Sequence, residues 1–314
     1  MPATAKNVIA TGTSSGLGFE VIKQLLEKSE PYNFILGARD IERTQAAFDE
    51  VKFDASKHTI SLVPLDLTDL RSVQLFAQNA LTKLGPNKLD LLFLCAGMVA
   101  SAEGPGPHGS QWCTSYVVNH LSQHYLLHQL RETLAACKSR IVVVSSGAIR
   151  NVRNQDPKTL DVDLKANSGA DRGVVYSASK FVQLLGAQYW RRTLPECRVV
   201  AVSPGLIPDT KLAGKDLGLS MSMPDAKTVP EGSHSRLVIN AIEPTNILFY
   251  IVGAQNLLRA WTINDFPEDP EQVMLTSWGE WWSKDVIQMS LDTALQNKWC
   301  LSRDEIEKVE GLSA

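Results

Sequence analysis

Asn7-Val8-Ile9-Ala10-Thr11-Gly12-Thr13-Ser14-Ser15-Gly16-Leu17-Gly18 is the stretch on which the reading turns. A short apolar run rich in β-branched residues gives way to a turn with Gly12, Gly16 and Gly18. Then Val21, Ile22, Leu25 and Leu26 recur at the spacing of one helical face. Glycines permit a tight turn and let backbone N–H groups come close to a ligand. The helix that follows offers unpaired N–H groups and the positive end of its dipole to an anion. At a strand-to-helix turn the anion best suited is a pyrophosphate. Gly12, Ser14, Ser15, Gly16, Leu17 and Gly18 are therefore expected to cradle a dinucleotide.

Working outward, further buried-strand patterns lie at Asn33 to Gly37, Thr59 to Leu65, Leu89 to Cys95, Arg140 to Ser145 and Arg198 to Ser203. Amphipathic helices alternate with them, as in Val73, Phe76, Ala77, Ala80 and Leu81. Strands buried on both faces and joined by helices imply an α/β fold, a doubly wound parallel sheet of the Rossmann type, with ligands at the carboxyl ends of the strands. No linker or repeat divides the chain. It reads as a single domain over 1–314, with a core at 7–210 and a substrate-loop and C-terminal region at 206–314.

Composition narrows the function. The 314 residues have a net charge of −3, which gives no reason to expect nucleic acid as a partner. The N-terminus shows neither a secretory nor a mitochondrial leader, so a cytoplasmic location is expected. The longest apolar run, in 246–253, is too short to span a bilayer, so no transmembrane segment is expected. Five scattered cysteines, with no CxxC pair, read as free thiols.

The second strand ends in Gly37-Ala38-Arg39-Asp40. An acid at that tip would take a free ribose 2′-hydroxyl, whereas Arg39 suits a 2′-phosphate, so NADP is the expected cofactor. Asp66 stands where it can accept from the adenine amine or cap the next helix. Tyr176 and Lys180 stand four apart on one helix face, where the lysine is expected to lower the phenol's pKa toward useful proton transfer. Ser146, after the fifth strand, offers a hydroxyl to a substrate oxygen, and Asn119 is placed to anchor a proton-relay water.

Together these motifs resemble the short-chain dehydrogenase/reductase family, from Asn7 to about Thr210. The likeness is carried by TGTSSGLG, GARD, Asp66-Leu67, Cys95-Ala96-Gly97, Asn119, Ser146, YSASK and Ser203-Pro204-Gly205. Cys95 stands where the family usually has Asn. The resemblance implies that Asn119, Ser146, Tyr176 and Lys180 are catalytic. It also implies that Leu67, Ala96, Gly97, Pro204 and Gly205, with Tyr176 and Lys180, line the cofactor. A homodimer through the helices carrying Asn119 and Tyr176 is implied too. Within the family, the branch of light-dependent protochlorophyllide reductases and retinol-dehydrogenase-like enzymes looks most similar. Leu206 replaces the thiol that the photoenzyme would carry.

Other clusters are read as structural. His120, His124 and His128 form a stripe without acids to complete a ligand set, so no metal is expected. Trp278, Trp281 and Trp282 read as core. The segment 233–253 reads as an insertion inside one helix, whose start at Val229 to Gly232 would otherwise join Ala254 to Trp261, with a last strand at Val273 to Ser277; the alternative is that Asn246 to Val252 is a buried strand of its own. The expected activity is NADP-dependent hydride transfer to or from a carbonyl or secondary alcohol of a small, largely apolar molecule. Reduction of a conjugated C=C is the alternative within the family, and a non-catalytic NADP-binding regulatory module the alternative of another class.

Overall fold

The computed structural model describes residues 4–152, 157–205 and 254–312. Seven strands form one parallel sheet: β1 Lys6–Thr11, β2 Tyr32–Ala38, β3 Thr59–Pro64, β4 Leu91–Leu94, β5 Arg140–Val144, β6 Arg198–Val202 and β7 Met274–Leu275. Their order is β3-β2-β1-β4-β5-β6-β7. The chain builds outward from β1 to β3, then crosses to the other side of β1 for β4. That reversal opens a crevice between the carboxyl ends of β1 and β4, where an open α/β sheet takes its ligand.

The sheet is covered on both faces because its side chains alternate. Ile9, Leu92, Ile141, Val143 and Val199 point into one core, beneath the helices Leu70–Leu84, Ser122–Cys137 and Arg172–Thr193. Val8, Ala10, Phe93, Val142 and Val200 point into the other, against Gly16–Leu26 and a helix at 254–262. This explains the unbroken apolar runs: no strand of the sheet's middle has a wet face. Among the described residues, no helix is long and apolar enough to cross a membrane.

The expected strands are all present. The helix at 254–262 and β7 also match the expectation for that region, while the insertion at 233–253 lies outside the described residues. The tryptophan cluster divides. Trp282 is buried beneath the Arg150 guanidinium, Trp281 packs on Phe266, and Trp278 is exposed. All five cysteines are free.

Residues 284–312 form a tail of short helices laid over the helices that carry Asn119 and Tyr176. The histidine stripe helps to hold it, beside bonds such as Tyr125 to Glu307 and Arg192 to Asn297. His120 Nε2 meets the Trp299 carbonyl at 3.0 Å, and His124 Nε2 and His128 Nε2 meet the Leu301 carbonyl at 2.8 and 3.0 Å. His120, His124 and Cys300 bring potential ligand atoms within 4.8 Å of one another. Both nitrogens of His124 are already committed, to Leu301 and to the Trp190 indole, so a metal there would displace a buried hydrogen bond at whichever nitrogen it took.

Candidate active site

Two glycines fix the turn after β1. Gly12 has φ +71° and Gly16 φ +62°. A Cβ on Gly12 would lie 2.4 Å from the Ala96 nitrogen, and one on Gly18 would lie 2.2 Å from the Gly12 oxygen. Only hydrogen fits at either place. The Thr11 hydroxyl accepts from the Ala96 N–H at 3.3 Å, tying the turn to the end of β4. The N-termini at Ile41, Leu70 and Arg172 are capped by the side chains of Asp40, Asp69 and Asp171, but Ser15 does not cap the helix at Gly16. Its first N–H groups stay available to an anion, with Ser14, Ser15 and Gly16 exposed around them. The buried Thr13 hydroxyl has no partner among the described residues. This cradle fits the pyrophosphate of a dinucleotide.

At the tip of β2, Arg39 is exposed and makes no hydrogen bond or ion pair with the described residues. Asp40 is the helix cap, accepting from Arg43 N–H at 2.9 Å. Asp66 does not cap the next helix, because Asp69 does. Its Oδ1 instead accepts from the N–H and hydroxyl of Thr68 at 2.9 and 2.8 Å, which turns the loop and leaves Oδ2 for a ligand. Leu67 is buried, its carbonyl accepting from the Ser122 hydroxyl at 2.6 Å. Pro204 and Gly205, with Gly205 at φ +96°, close β6 on the same edge of the sheet.

Asn119 lies in a π turn, Val117–Leu121, that interrupts its helix. Such a turn withdraws carbonyls from the α ladder, and the Gln123 amide takes them up, with Nε2 at 3.2 Å from Val118 O, 3.1 Å from Asn119 O and 3.0 Å from Ala96 O. The Asn119 side chain pairs with the Met98 backbone in both directions, at 2.8 and 3.0 Å, and donates to the Ser179 hydroxyl at 2.9 Å. Both of its amide hydrogens go to joining the loop after β4 to the helix of Tyr176.

Ser146, Tyr176 and Lys180 come together beside this junction. Burial pushes the Tyr176 phenol upward, and the neighbouring Ser146 side chain draws it down without reversing that direction. The expectation that Lys180 depresses the phenol is corrected here. The ammonium lies 6.0 Å from the ring centroid, and it donates instead to Val144 O at 2.8 Å and Gln183 Oε1 at 3.0 Å. Burial brings Lys180 down to about 8, opposed by the neighbouring Cys95 sulfur. Cys95 itself is pushed up to about 12 by burial, against the pull of Lys180. A Cβ on Gly97 would stand 3.3 Å from Lys180 Nζ and 3.5 Å from Asn119 Oδ1, so Gly97 leaves room at the meeting point.

The structure thus gathers the turn at Gly12 to Gly18, Ala96, Gly97, Asn119, Ser146, Tyr176, Lys180, Pro204 and Gly205 on one edge of the sheet, with Arg39 and Asp66 at the tips of β2 and β3. Thr11, Gln123, Ser179 and Gln183 were not foreseen from sequence. Gln123 and Gln183 stand four and three residues after Asn119 and Lys180, a helical spacing that was there to be read.

The short chain dehydrogenase family model matches residues 6–156. A short-chain dehydrogenase/reductase of Pestalotiopsis microspora is 54% identical over 312 residues, covering 98% of this chain and all of that protein. Human retinol dehydrogenase 12 is 26% identical over 238 residues, covering 74% of this chain and 72% of its own. Among solved structures, an NADPH-bound carbonyl reductase from chicken fatty liver superposes with a TM-score of 0.59 at 18% identity. That match covers 90% of this chain and 95% of the other, a likeness of fold.

Proposed function

The chain belongs to the short-chain dehydrogenase/reductase family, and from that premise we propose that it is an NADP-dependent oxidoreductase acting on a carbonyl or secondary alcohol of a small, largely apolar molecule. The observation that carries the reading is the meeting of the Ser146 and Tyr176 side chains, with Lys180 beside them. A nicotinamide cofactor, which this family binds, supplies or accepts the hydride. Tyr176 then gives the oxygen its proton or takes it back, while Ser146 hydrogen-bonds the same oxygen. Lys180 uses two of its three donors on Val144 and Gln183, and the third is assigned to the nicotinamide ribose. With both amide hydrogens of Asn119 occupied, its water-anchoring role is assigned to the main-chain carbonyl, which also accepts from Gln123.

The preference for NADP rests on Arg39, whose guanidinium suits a 2′-phosphate. Gly12 to Gly18, Asp66, Leu67, Ala96, Gly97, Pro204 and Gly205 line the remainder of the cofactor. The proposal takes the chain as one domain, in which 7–210 holds the cofactor and 206–314 shapes the substrate side, and it places the activity in the cytoplasm. A homodimer must use surface other than the His120, His124 and Trp190 face, which the tail covers. Sedimentation distinguishes a dimer from a species of 34.5 kDa.

An NADPH-oxidation screen over ketones, aldehydes, quinones and enones, with illuminated protochlorophyllide included, tests the reading. Turnover of ketones or aldehydes is expected. Reduction of C=C alone would move the chain to the photoenzyme-like reading, and tight NADPH binding without any turnover would make it a regulatory module.

A further inference from the structure

Behind Lys180 lies a buried feature that hydride transfer does not require. Gln183, one helical turn after Lys180 and 3% exposed, accepts from the ammonium through Oε1 at 3.0 Å. Its amide nitrogen is buried and finds no partner among the described residues. An unpaired buried N–H of this kind carries an uncompensated desolvation cost. Gln183 borders a cavity of about 20 Å³ that Asn119, His120 and Gly186 also line. A single water needs about 10 to 15 Å³ and two or more polar partners.

His120 supplies the second partner. Its Nε2 faces the Trp299 carbonyl at 3.0 Å and so carries the hydrogen, and burial brings the ring down to about 4, so it is neutral near pH 7. Nδ1 therefore holds a lone pair. A water would accept from Gln183 Nε2 and donate to His120 Nδ1, giving the unpartnered amide its acceptor. The amide is a dipole with a fixed sense: once its nitrogen is held by a water, its oxygen must face Lys180. Without that hold the amide could flip and set N–H against ammonium.

We infer that Gln183 is a positioning residue for Lys180, and that one buried water, bridging Gln183 Nε2 to His120 Nδ1, fixes the sense of its amide. The inference rests on the reading that Lys180 serves hydride transfer. Lys180 thereby becomes the end of a buried polar line that runs through Gln183, the water and His120 to the Trp299 carbonyl of the C-terminal tail. The titratable groups around the ammonium are Tyr176 on its own helix, Cys95 after β4 and, across the cavity, His120.

Two measurements test this without turnover. A high-resolution crystal structure of the wild-type chain should show an ordered water within hydrogen-bond distance of Gln183 and His120; a dry cavity overturns the bridge. The Lys180 titration can be followed by NMR of the chain carrying carbon-13-labelled lysine, with the signal assigned through Lys180→Met. Gln183→Glu, which sets a carboxylate against the ammonium, should raise it by about one to three pH units. Gln183→Leu, which removes the acceptor, should lower it. A titration unmoved by Gln183→Glu overturns the positioning role, and the wild-type crystal still decides the water if either variant fails to fold. In the active enzyme the alkaline limb of kcat/KM should follow the same shifts. Absence of wild-type turnover would count against the proposed function and leave both measurements standing.

Discussion

The Trp190 indole N–H donates to His124 Nδ1 at 2.9 Å, deep between the helices that carry Tyr176 and Asn119. Because Nδ1 accepts, the imidazole must carry its hydrogen on Nε2, which it gives to the Leu301 carbonyl at 2.8 Å. His128 Nε2 reaches the same carbonyl at 3.0 Å, so two imidazole donors serve the two lone pairs of one carbonyl oxygen. The tail is thus held by neutral histidines.

Acid should loosen that hold. Burial lowers His120 to about 4 and lowers His124 and His128 as well. A histidine depressed in the folded state binds its proton more readily when unfolded. Its contribution is therefore complete above pH ~6.5 and is lost as pH falls toward the folded value. For His120 this amounts to about 2 kcal/mol between pH 6.5 and 5. Thermal scans should show the melting temperature falling over that range, with a shallower fall in His120→Gln. A flat profile from pH 7 to 5 would contradict the neutral-clamp reading.

Gly12 and Gly85 make a controlled pair. Both have positive φ, +71° and +58°, but a Cβ on Gly85 meets nothing within 4 Å. Gly85→Ala should cost only backbone strain, about 1 to 3 kcal/mol, because φ +58° with ψ −138° lies outside the αL region. Gly12→Ala adds a clash with the Ala96 backbone and should cost about 2 to 4 kcal/mol. Equal denaturation midpoints for the two variants would show that the turn is not pressed against β4.

These particulars show where sequence reading reached and where it stopped. The strands were legible because burial on both faces leaves continuous β-branched runs, as at Arg140–Val144. The glycine turn was legible because Gly12 and Gly18 answer to backbone geometry written locally. Tyr176 and Lys180 were legible as a helical pair, but the direction of the ammonium was not: Val144 and Gln183 hold it, and Val144 is 36 residues away in the chain. The histidine stripe was visible while its partners were not, since the Trp299 and Leu301 carbonyls arrive from 173 to 179 residues downstream. Asp66 suits either a cap or a ligand by its place after β3. The cap is Asp69, three residues on, because the helix begins at Leu70.

Arg39 should decide between the two nicotinamide cofactors. Arg39→Ala is expected to raise the KM for NADPH about 10- to 100-fold, the loss of one or two charge-assisted hydrogen bonds, and to leave that for NADH nearly unchanged. Equal changes for both cofactors would remove Arg39 as the discriminator.

Reduction should fail on the alkaline side. With Lys180 brought down to about 8 by burial, its charge is present below that pH and lost above it. kcat/KM for carbonyl reduction is expected to fall as pH rises through about 8 in the wild type. A rate constant across pH 7 to 9.5 would show that the ammonium is not needed.

The most direct measurement is single-turnover reduction of the best carbonyl substrate by Tyr176→Phe, alongside an NADPH binding titration. The change deletes the proton that Tyr176 is assigned and keeps the ring. Hydride transfer should fall by about 10² to 10⁴, while NADPH affinity stays within a few-fold of wild type. Wild-type-like turnover in Tyr176→Phe would contradict the assignment of Tyr176 as the acid.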